Sequence, residues 1–328
     1  MEEKIYQDIR TNFENKYINN IVPKLSPFEE DRKKTLNKTI ITIIIMVILS
    51  IIFLLLSIKW NFMKFGGVLI FFAIVVYPIA KKNFENKLKK LIMPYVCGCF
   101  PDLKWIENVD EITRNANMYI STGLFSDFDN AFFDDYFIGK YNGVNFEIRE
   151  FEATKEIGYG KDKRTETIFD GVIVHLDMNK NFTGNTVLRP HGLNINTMTI
   201  KWQKTLNSNE EAKVYKSPKL HKTTLEDVEF NKKFDVYTND EVEARYLLTT
   251  SLMERLNTMQ TAFNANKVAG SFYEGKFYIA LYTNKDLFSI GSLNKNVCDK
   301  EQFNTMFEEI LSIIKLIDHF KLNQKIGL

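Results

Sequence analysis

Apolar and polar positions follow three different rhythms along this chain. Between residues 3 and 22, Ile5, Ile9, Phe13, Tyr17 and Ile21 recur every four positions, with Glu, Asp, Arg and Lys between them. That spacing predicts an amphipathic helix with a slowly rotating apolar stripe. The stripe is expected to dock on the protein's own soluble part; the membrane or a partner protein are the alternatives. Pro23 and Pro27 are expected to end this helix, and a short second helix over about 28–38 to lead onward. Residues 39–58 then carry no charge, between Lys38 and Lys59. At a rise of about 1.5 Å per residue such a run covers roughly 30 Å, one hydrocarbon thickness. Residues 65–80 form a second uncharged run, extended by Trp60, Phe62 and Met63. Its Gly66, Gly67 and Pro78 are residues that membrane helices tolerate. The two runs are expected to form a tight transmembrane hairpin, with spans about 39–59 and 62–80. A re-entrant or interfacial segment is the alternative for the second run.

Positive charge orients the hairpin. Lys24, Arg32, Lys33, Lys34 and Lys38 precede it, and Lys81, Lys82, Lys87, Lys89 and Lys90 follow it. The connecting loop holds only Lys59 and Lys64. Both ends are therefore expected on the cytoplasmic side. The first span begins behind a long polar segment, which is not the layout of a cleaved signal peptide. The organisation read from the chain is a cytoplasmic amphipathic helical segment (1–38), the hairpin (39–81), a juxtamembrane helix (82–93, stopped by Pro94) and a cytoplasmic α+β domain (94–328).

In that last part the rhythm turns to two. Val144, Phe146 and Ile148 alternate with polar residues, and Val172, Ile173 and Val174 sit in a strand over 167–178. Gly158 and Gly160, with Lys161, Lys163 and Arg164, mark a hairpin tip, and 179–184 a turn. Residues 186–188 resume the strand, 198–202 suggest another, and the rest of 189–224 reads as a lysine-rich surface loop. Phe234 opens a further strand. Asp240 with Glu243 three residues on is a capping-box analogue that starts a helix at Glu241, with Glu241 and Arg245 paired at i,i+4. Ser251 and Glu254 repeat the box after a break at 249–251. Strands over 267–273 and 276–282 flank a two-residue hairpin, Glu274-Gly275. A last helix over about 300–321 carries Phe303, Phe307, Ile310, Leu311, Ile314 and Ile317 on one face. Short turns between successive strands indicate an antiparallel sheet with packed helices.

Composition changes this picture little. Of 328 residues 45% are hydrophobic, and 43 Lys plus Arg against 41 Asp plus Glu leave a net charge of +2. That excludes a disordered chain and gives no reason to expect nucleic acid as a partner. Three cysteines, Cys97, Cys99 and Cys298, are too few and too odd for a disulfide framework and read as free thiols. The sequons at Asn37 and Asn181 carry no weight on a cytoplasmic chain. Candidate chemistry is sparse. Asp127, Asp129, Asp134 and Asp135 are close in sequence, but Phe132 stands where a calcium loop needs glycine. Cys97-Gly98-Cys99 with Cys298 and His319 lacks the spacing of a zinc site. His175 reads as a sheet residue. No nucleophile elbow, phosphate loop or dinucleotide fingerprint is present, so no cofactor and no catalytic residue is assigned. The ligand or partner candidates are Asp177, Asn179, Lys180 and Asn181 in the turn over 177–184, and separately Arg245, which most simply forms a surface pair on its helix. The first reading of these Asp and Asn residues is that they close their own turn by side-chain bonds to the backbone. Lys161–Arg164 and the lysines of 201–222 could face anionic headgroups or simply water.

The motifs carry a resemblance. Pro23-Lys24-Leu25 precedes the paired spans, Ser121-Thr122-Gly123-Leu124-Phe125 follows, then Asp135-Tyr136 with Ile138-Gly139-Lys140. Phe169 with Gly171, Asp177 with Asn179 to Phe182 and Gly184, and Phe234 through Tyr237, Asp240 and Glu243 to Thr249 complete it, with Leu252 to Leu256 beyond. In these the chain resembles the bacterial membrane proteins grouped as the domain-of-unknown-function 3137 family, departing at Thr250, where a proline is common. The resemblance implies a membrane-anchored cytoplasmic domain at the bacterial inner membrane and implies no activity. Two functional readings follow. The first is a non-enzymatic interaction or scaffolding protein, with the lipid bilayer and a membrane or cytoplasmic protein as partners. The alternative is a membrane-tethered enzyme or small-ligand or lipid sensor with its site near the 177–184 turn.

Overall fold

The computed structural model describes residues 2–60, 63–107, 116–178, 180–192, 200–202, 214–216, 219–262, 265–283 and 285–320. They form two compact units: Met1–Phe100 with Phe288–Glu308, and Pro101–Leu287 with Glu309–Leu328. The expected 94–328 domain is thus cut by the return of residues 288–308 to the N-terminal part.

In the first unit, helix α1 (Glu2–Lys16) passes through a π turn (Tyr17–Ile21) into α2 (Val22–Trp60), and α3 (Met63–Cys97) follows. Pro27 and Pro94, expected to end helices, lie inside α2 and α3, and Pro78 lies inside α3 as expected of a tolerated proline. A proline removes one i→i−4 bond and crowds the preceding turn. The π turn just before Pro23 is a place where that ladder is already relaxed. It also explains the stripe. Steps of four residues drift by about 40° each on a 3.6-residue helix, and a wider π turn draws the stripe back. Tyr6, Ile9, Phe13, Tyr17, Ile21 and Leu25 are consequently all buried. Phe13 stacks on Phe307 with ring centres 4.2 Å apart, and Tyr17 lies 5.4 Å from Phe303. The rim is ionic: Arg10 forks onto Glu308 at 2.7 and 2.9 Å, and Lys300 reaches Glu14 at 2.5 Å. The stripe therefore docks within the protein.

At the foot of α2, Arg32 forks onto Glu29 at 2.8 and 2.7 Å and donates to the Leu293 carbonyl. Glu29 also accepts from the Val297 amide at 3.1 Å. The Arg32 hydrogen bond draws the Glu29 carboxyl down to about 2 against the cost of burial. Cys97 and Cys99 are buried free thiols and Cys298 is exposed. Burial pushes the Cys99 thiol up to about 11, so it is inert.

The second unit contains β1 (Lys104–Trp105), α4 (Met118–Ser121), β2 (Asn130–Tyr141), β3 (Val144–Ile157), β4 (Arg164–Asp177), β5 (Thr186–Pro190), β6 (Ile200–Trp202), β7 (Val214–Lys216), β8 (His221–Thr223), α5 (Val228–Lys233), β9 (Phe234–Thr238), α6 (Glu241–Leu247), α7 (Thr250–Ala262), β10 (Lys267–Tyr273) and β11 (Lys276–Tyr282). Helix α8 (Lys300–Phe320) enters it from Glu309 on. Nine strands form one antiparallel sheet in the order β1-β2-β3-β4-β11-β10-β5-β9-β8; β6 and β7 pair separately. The α+β class with an antiparallel sheet is as expected. Two hairpins use left-handed residue pairs: Asn142-Gly143 (φ 47° and 85°) and Glu274-Gly275 (φ 48° and 73°). The mirror-image turn matches the strand twist, which is why both positions need positive φ.

Period two sorts the side chains. Phe146, Ile148, Val172, Val174, Leu176, Phe277 and Ile279 are buried on one face, where Phe277 meets Phe320 at 5.4 Å and Tyr141 donates to Asp318 at 2.9 Å. On the other face Phe151, Ala153, Phe169, Ile173, Tyr278 and Ala280 are covered by Tyr119, Ile120, Leu124, Phe125 and Phe128. Gly171 lies on β4 opposite Phe151, at φ 151°, and a Cβ there would collide with the Leu281 carbonyl. Only glycine allows the strands this approach.

Candidate functional site

The polar groups of the predicted turn are largely engaged by the protein itself. Asp177 accepts from Asn145 Nδ2 at 2.8 Å and faces Lys276 Nζ at 3.2 Å. Lys180 donates to the Tyr246 carbonyl at 3.1 Å and lies 4.4 Å above the Tyr246 ring, where partial burial lowers its pKa. Asn181 is exposed, and Asn179 lies outside the described residues. Arg245 is apart from the turn's ligand groups: its guanidinium pairs with Glu241 at 3.2 Å, as the i,i+4 spacing predicts, and with Glu226 at 3.4 Å.

The residue that organises the turn is one that sequence spacing assigned elsewhere. Asp240 caps α6 as expected, accepting from the Glu243 amide at 2.9 Å. Glu243 does not complete the capping box. Its carboxylate accepts from the Thr183 amide at 2.9 Å and the Gly184 amide at 2.5 Å, while Asn239 Oδ1 accepts from the Asn185 amide at 2.7 Å. The Asp240 amide turns to Thr238 Oγ1 at 3.1 Å instead. Two consecutive amides form an anion-receptive concavity, and here a side chain of the same chain fills it. Likewise α7 is capped by Thr249, whose Oγ1 accepts from the Leu252 amide at 3.4 Å, two residues before the cap read from Ser251.

A second polar group lies under the sheet. Register places Glu147 opposite His175, and His175 opposite Tyr278. Tyr119 Oη lies 2.9 Å from His175 Nε2, and His175 Nδ1 lies 3.5 Å from Glu147 Oε2. Arg149 donates to the same Glu147 oxygen at 2.7 Å, and Tyr136 donates to it at 3.1 Å. Burial drives the His175 pKa down to about 4, partly offset by Glu147, so the ring is neutral at pH 7. Its one proton then belongs on Nδ1, facing the carboxylate, with Nε2 accepting from Tyr119. Burial also works against the Glu147 charge, but the His175 hydrogen bond and the Arg149 cation outweigh it and hold the carboxyl far below its usual range. Burial raises the Tyr119 and Tyr278 hydroxyls. This chain has the order of a proton relay, yet Tyr119 and His175 are enclosed, 0% and 3% exposed. Its outer members, Glu147 and Tyr136, are half-buried, and together the five side chains form one polar network.

The acidic cluster is dispersed. Asp127 pairs with Lys155 at 2.5 Å, Asp129 accepts from the Glu156 amide at 2.9 Å, and Asp135 accepts from Trp105 Nε1 at 2.9 Å. Of the basic loops, Lys163 pairs with Glu156 and Lys222 with Asp235, and most of 201–218 lies outside the described residues.

The largest exposed chemistry is apolar. On α2, Ile40, Ile41, Ile44, Ile45, Val47, Ile48, Leu49, Ile51, Ile52 and Leu55 are exposed, as are Ile70, Phe71, Phe72, Ile74 and Ile79 on α3. Among the described residues of these stretches, Thr39, Ser50 and Ala73 are buried. Among the described residues one helix, Glu3–Phe53, is long and apolar enough to cross a membrane, and only 11% of its most apolar window is buried. Its position near the N-terminus is also that of a signal sequence.

Comparison with known proteins adds a family and little else. Residues 167–322 match the family model described as "Protein of unknown function (DUF3137)". No curated protein matches the chain. Among solved structures, the crystal structure of the mycobacterial trehalose monomycolate transport factor A, TtfA, covers 65% of this chain and 96% of its own at 10% identity. Its TM-score of 0.26 is too low to carry an argument about fold or role.

Proposed function

From the match of residues 167–322 to the DUF3137 family of proteins of unknown function and the exposed apolar belt of α2, we propose that this chain is a membrane-anchored interaction or scaffolding protein. Two helices, about 39–59 and 62–80, cross the bacterial inner membrane as a hairpin with both ends in the cytoplasm. The α+β unit they hold recruits a protein partner without chemistry of its own. The observation that carries the anchor is the exposed apolar belt of α2, continued on α3. In water each buried or exposed aliphatic side chain differs by about 1.5–3 kcal/mol, so a belt of this size needs lipid around it. Small residues between the helices suit close packing in a bilayer. The flanking lysines favour cytoplasmic ends. A ligand site at the 177–184 turn is the weaker reading, because Glu243 already engages the Thr183 and Gly184 amides and the Tyr246 carbonyl engages Lys180.

Topology is tested by cysteine labelling of the full chain in intact cells. A membrane-impermeant maleimide is expected to label an Asn61→Cys variant from outside, and exposed Cys298 only after permeabilisation. The reverse pattern overturns the orientation. Recruitment is tested by crosslinking cells and purifying the full chain in mild detergent. A partner at near-stoichiometric level is expected; its absence overturns the scaffold.

A further inference from the structure

One cleft in the first unit has the chemistry of a ligand site. It is lined on α2 by Thr35, Lys38, Thr39 and Thr42, and on α3 by Val76, Ala80, Asn83, Phe84 and Lys87, and its volume is about 350 Å³. The α2 residues stand at i, i+3, i+4 and i+7, and the α3 residues at i, i+4, i+7, i+8 and i+11, so each set is one face of its helix. The volume lies at the low end of the range for small-molecule sites.

The cleft is graded along its length. Lys38 is the last charged residue before the uncharged run 39–58, and Thr42 lies one turn farther in. On α3, Val76 and Ala80 precede Lys81, the first charge after the run, and Lys87 lies beyond it. From Val76 to Lys87 the helix rises by about 17 Å. One end is thus aliphatic and at membrane level, and the other is cationic and polar. Neither Lys38 nor Lys87 has an ion-pair partner among the described residues, whereas Lys33 and Lys81 beside them pair with Glu29 and Glu85 at 3.6 Å. Thr42 Oγ1 is occupied by the Lys38 carbonyl at 2.8 Å.

We propose that this cleft binds one anionic phospholipid, its phosphate between Lys38 and Lys87 and the start of an acyl chain along Val76 and Ala80. A phosphate ester is the anion that two lysines and neighbouring threonine and asparagine donors suit. The aliphatic end argues for a lipid over a free phosphate, which would leave Val76 and Ala80 without an occupant. The site rests on the membrane reading above, since lipid reaches the cleft only if the hairpin is inserted.

The test uses the full chain in nanodiscs containing phosphatidylglycerol or phosphatidylcholine with the same acyl chains, released for native mass spectrometry. One retained phosphatidylglycerol per chain is expected, in preference to phosphatidylcholine. Retention should fall by about tenfold in the Lys38→Gln/Lys87→Gln variant. It should persist in Lys34→Gln/Lys82→Gln, which removes equal charge outside the cleft. Equal retention by both variants overturns the site, as does equal retention of the two lipids. Displacement by millimolar inorganic phosphate alone overturns the lipid in favour of the free anion. Alkaline carbonate extraction separates the failures: a chain that leaves the bilayer defeats anchor and site together, and one that stays without lipid preference defeats the site alone.

Discussion

Ile48 and Glu147 break the usual rule of burial in opposite directions. Ile48 is 51% exposed on α2, amid a belt of exposed aliphatic side chains. The Glu147 carboxylate is 27% exposed and holds an arginine that is 10% exposed. On the α2 belt apolar groups are turned out; at Glu147 and Arg149, as at Glu29 and Arg32, a charge pair is turned in. The first arrangement is stable only if the surrounding medium is apolar, and the second only if each charge brings its own partner. If the α2 belt lies in lipid, as proposed, the same substitution should have opposite consequences at the two places.

The largest effect is expected where the medium itself is challenged. Ile45→Lys/Ile48→Lys puts two cations at the centre of the exposed run, at about 3 kcal/mol each on membrane-insertion scales. Most of the chain should then fail to resist alkaline carbonate extraction. If α2 lay in water the same lysines would change stability by less than about 0.5 kcal/mol each, and extraction would be unaltered.

The sheet's charges come next. Glu147→Ala strands the Arg149 guanidinium beside Tyr136, and should cost about 3 kcal/mol in urea unfolding of the full chain in micelles. Glu147→Leu/Arg149→Met removes both charges and should cost clearly less than the sum of the single changes. Additive losses would mean that the pair contributes nothing as a pair.

His175 adds a pH dependence of similar size. Its pKa is about 4 in the fold against an ordinary 6.5. The unfolded chain therefore takes up the proton first as pH falls. Stability from this group is complete above about pH 6.5, declines to about pH 4 and is flat below, a total of about 3 kcal/mol. The difference in unfolding free energy between wild type and His175→Gln, followed from pH 7 to 4, isolates its titration from that of the carboxylates. A constant difference across that range would sink the buried neutral histidine.

How much of this was legible beforehand depends on the range of the interaction. Local signals worked: Asp240 as a cap, Glu274-Gly275 as a hairpin, and the α8 stripe from Phe303 to Ile317 all stand where spacing put them. Two prolines misled, because Pro27 and Pro94 are carried inside helices held by packing rather than propensity. The Glu147–Arg149–His175 group was invisible because it depends on register between β3 and β4, which turn geometry sets. Asn142-Gly143 was the overlooked signal that fixes the preceding hairpin. The order that inserts β5 between β10 and β9 is set by contacts remote in sequence. For the candidate ligand residues, the partners of Asp177 and Lys180, Asn145 and the Tyr246 carbonyl, come from other elements and carry no signal in the local sequence.

The smallest effect sharpens the same lesson at one residue. A reciprocal capping box would have the Glu243 carboxylate protect the Asp240 amide. The structure gives that amide to Thr238 and gives Glu243 to Thr183 and Gly184. Glu243→Ala should cost about 1 kcal/mol, as loss of hydrogen bonds to a partly exposed carboxylate does. Asp240→Ala should cost a similar amount, about 1 kcal/mol, through the helix cap alone. Hydrogen exchange tells the two geometries apart where stability does not. In Glu243→Ala the Thr183 and Gly184 amides should exchange faster while Asp240 keeps its protection. Faster exchange at Asp240 with no change at 183 and 184 would restore the box and detach the turn from α6. The turn is held by a charge one strand and one cap away, so its polar residues are ordered for structure before any ligand arrives.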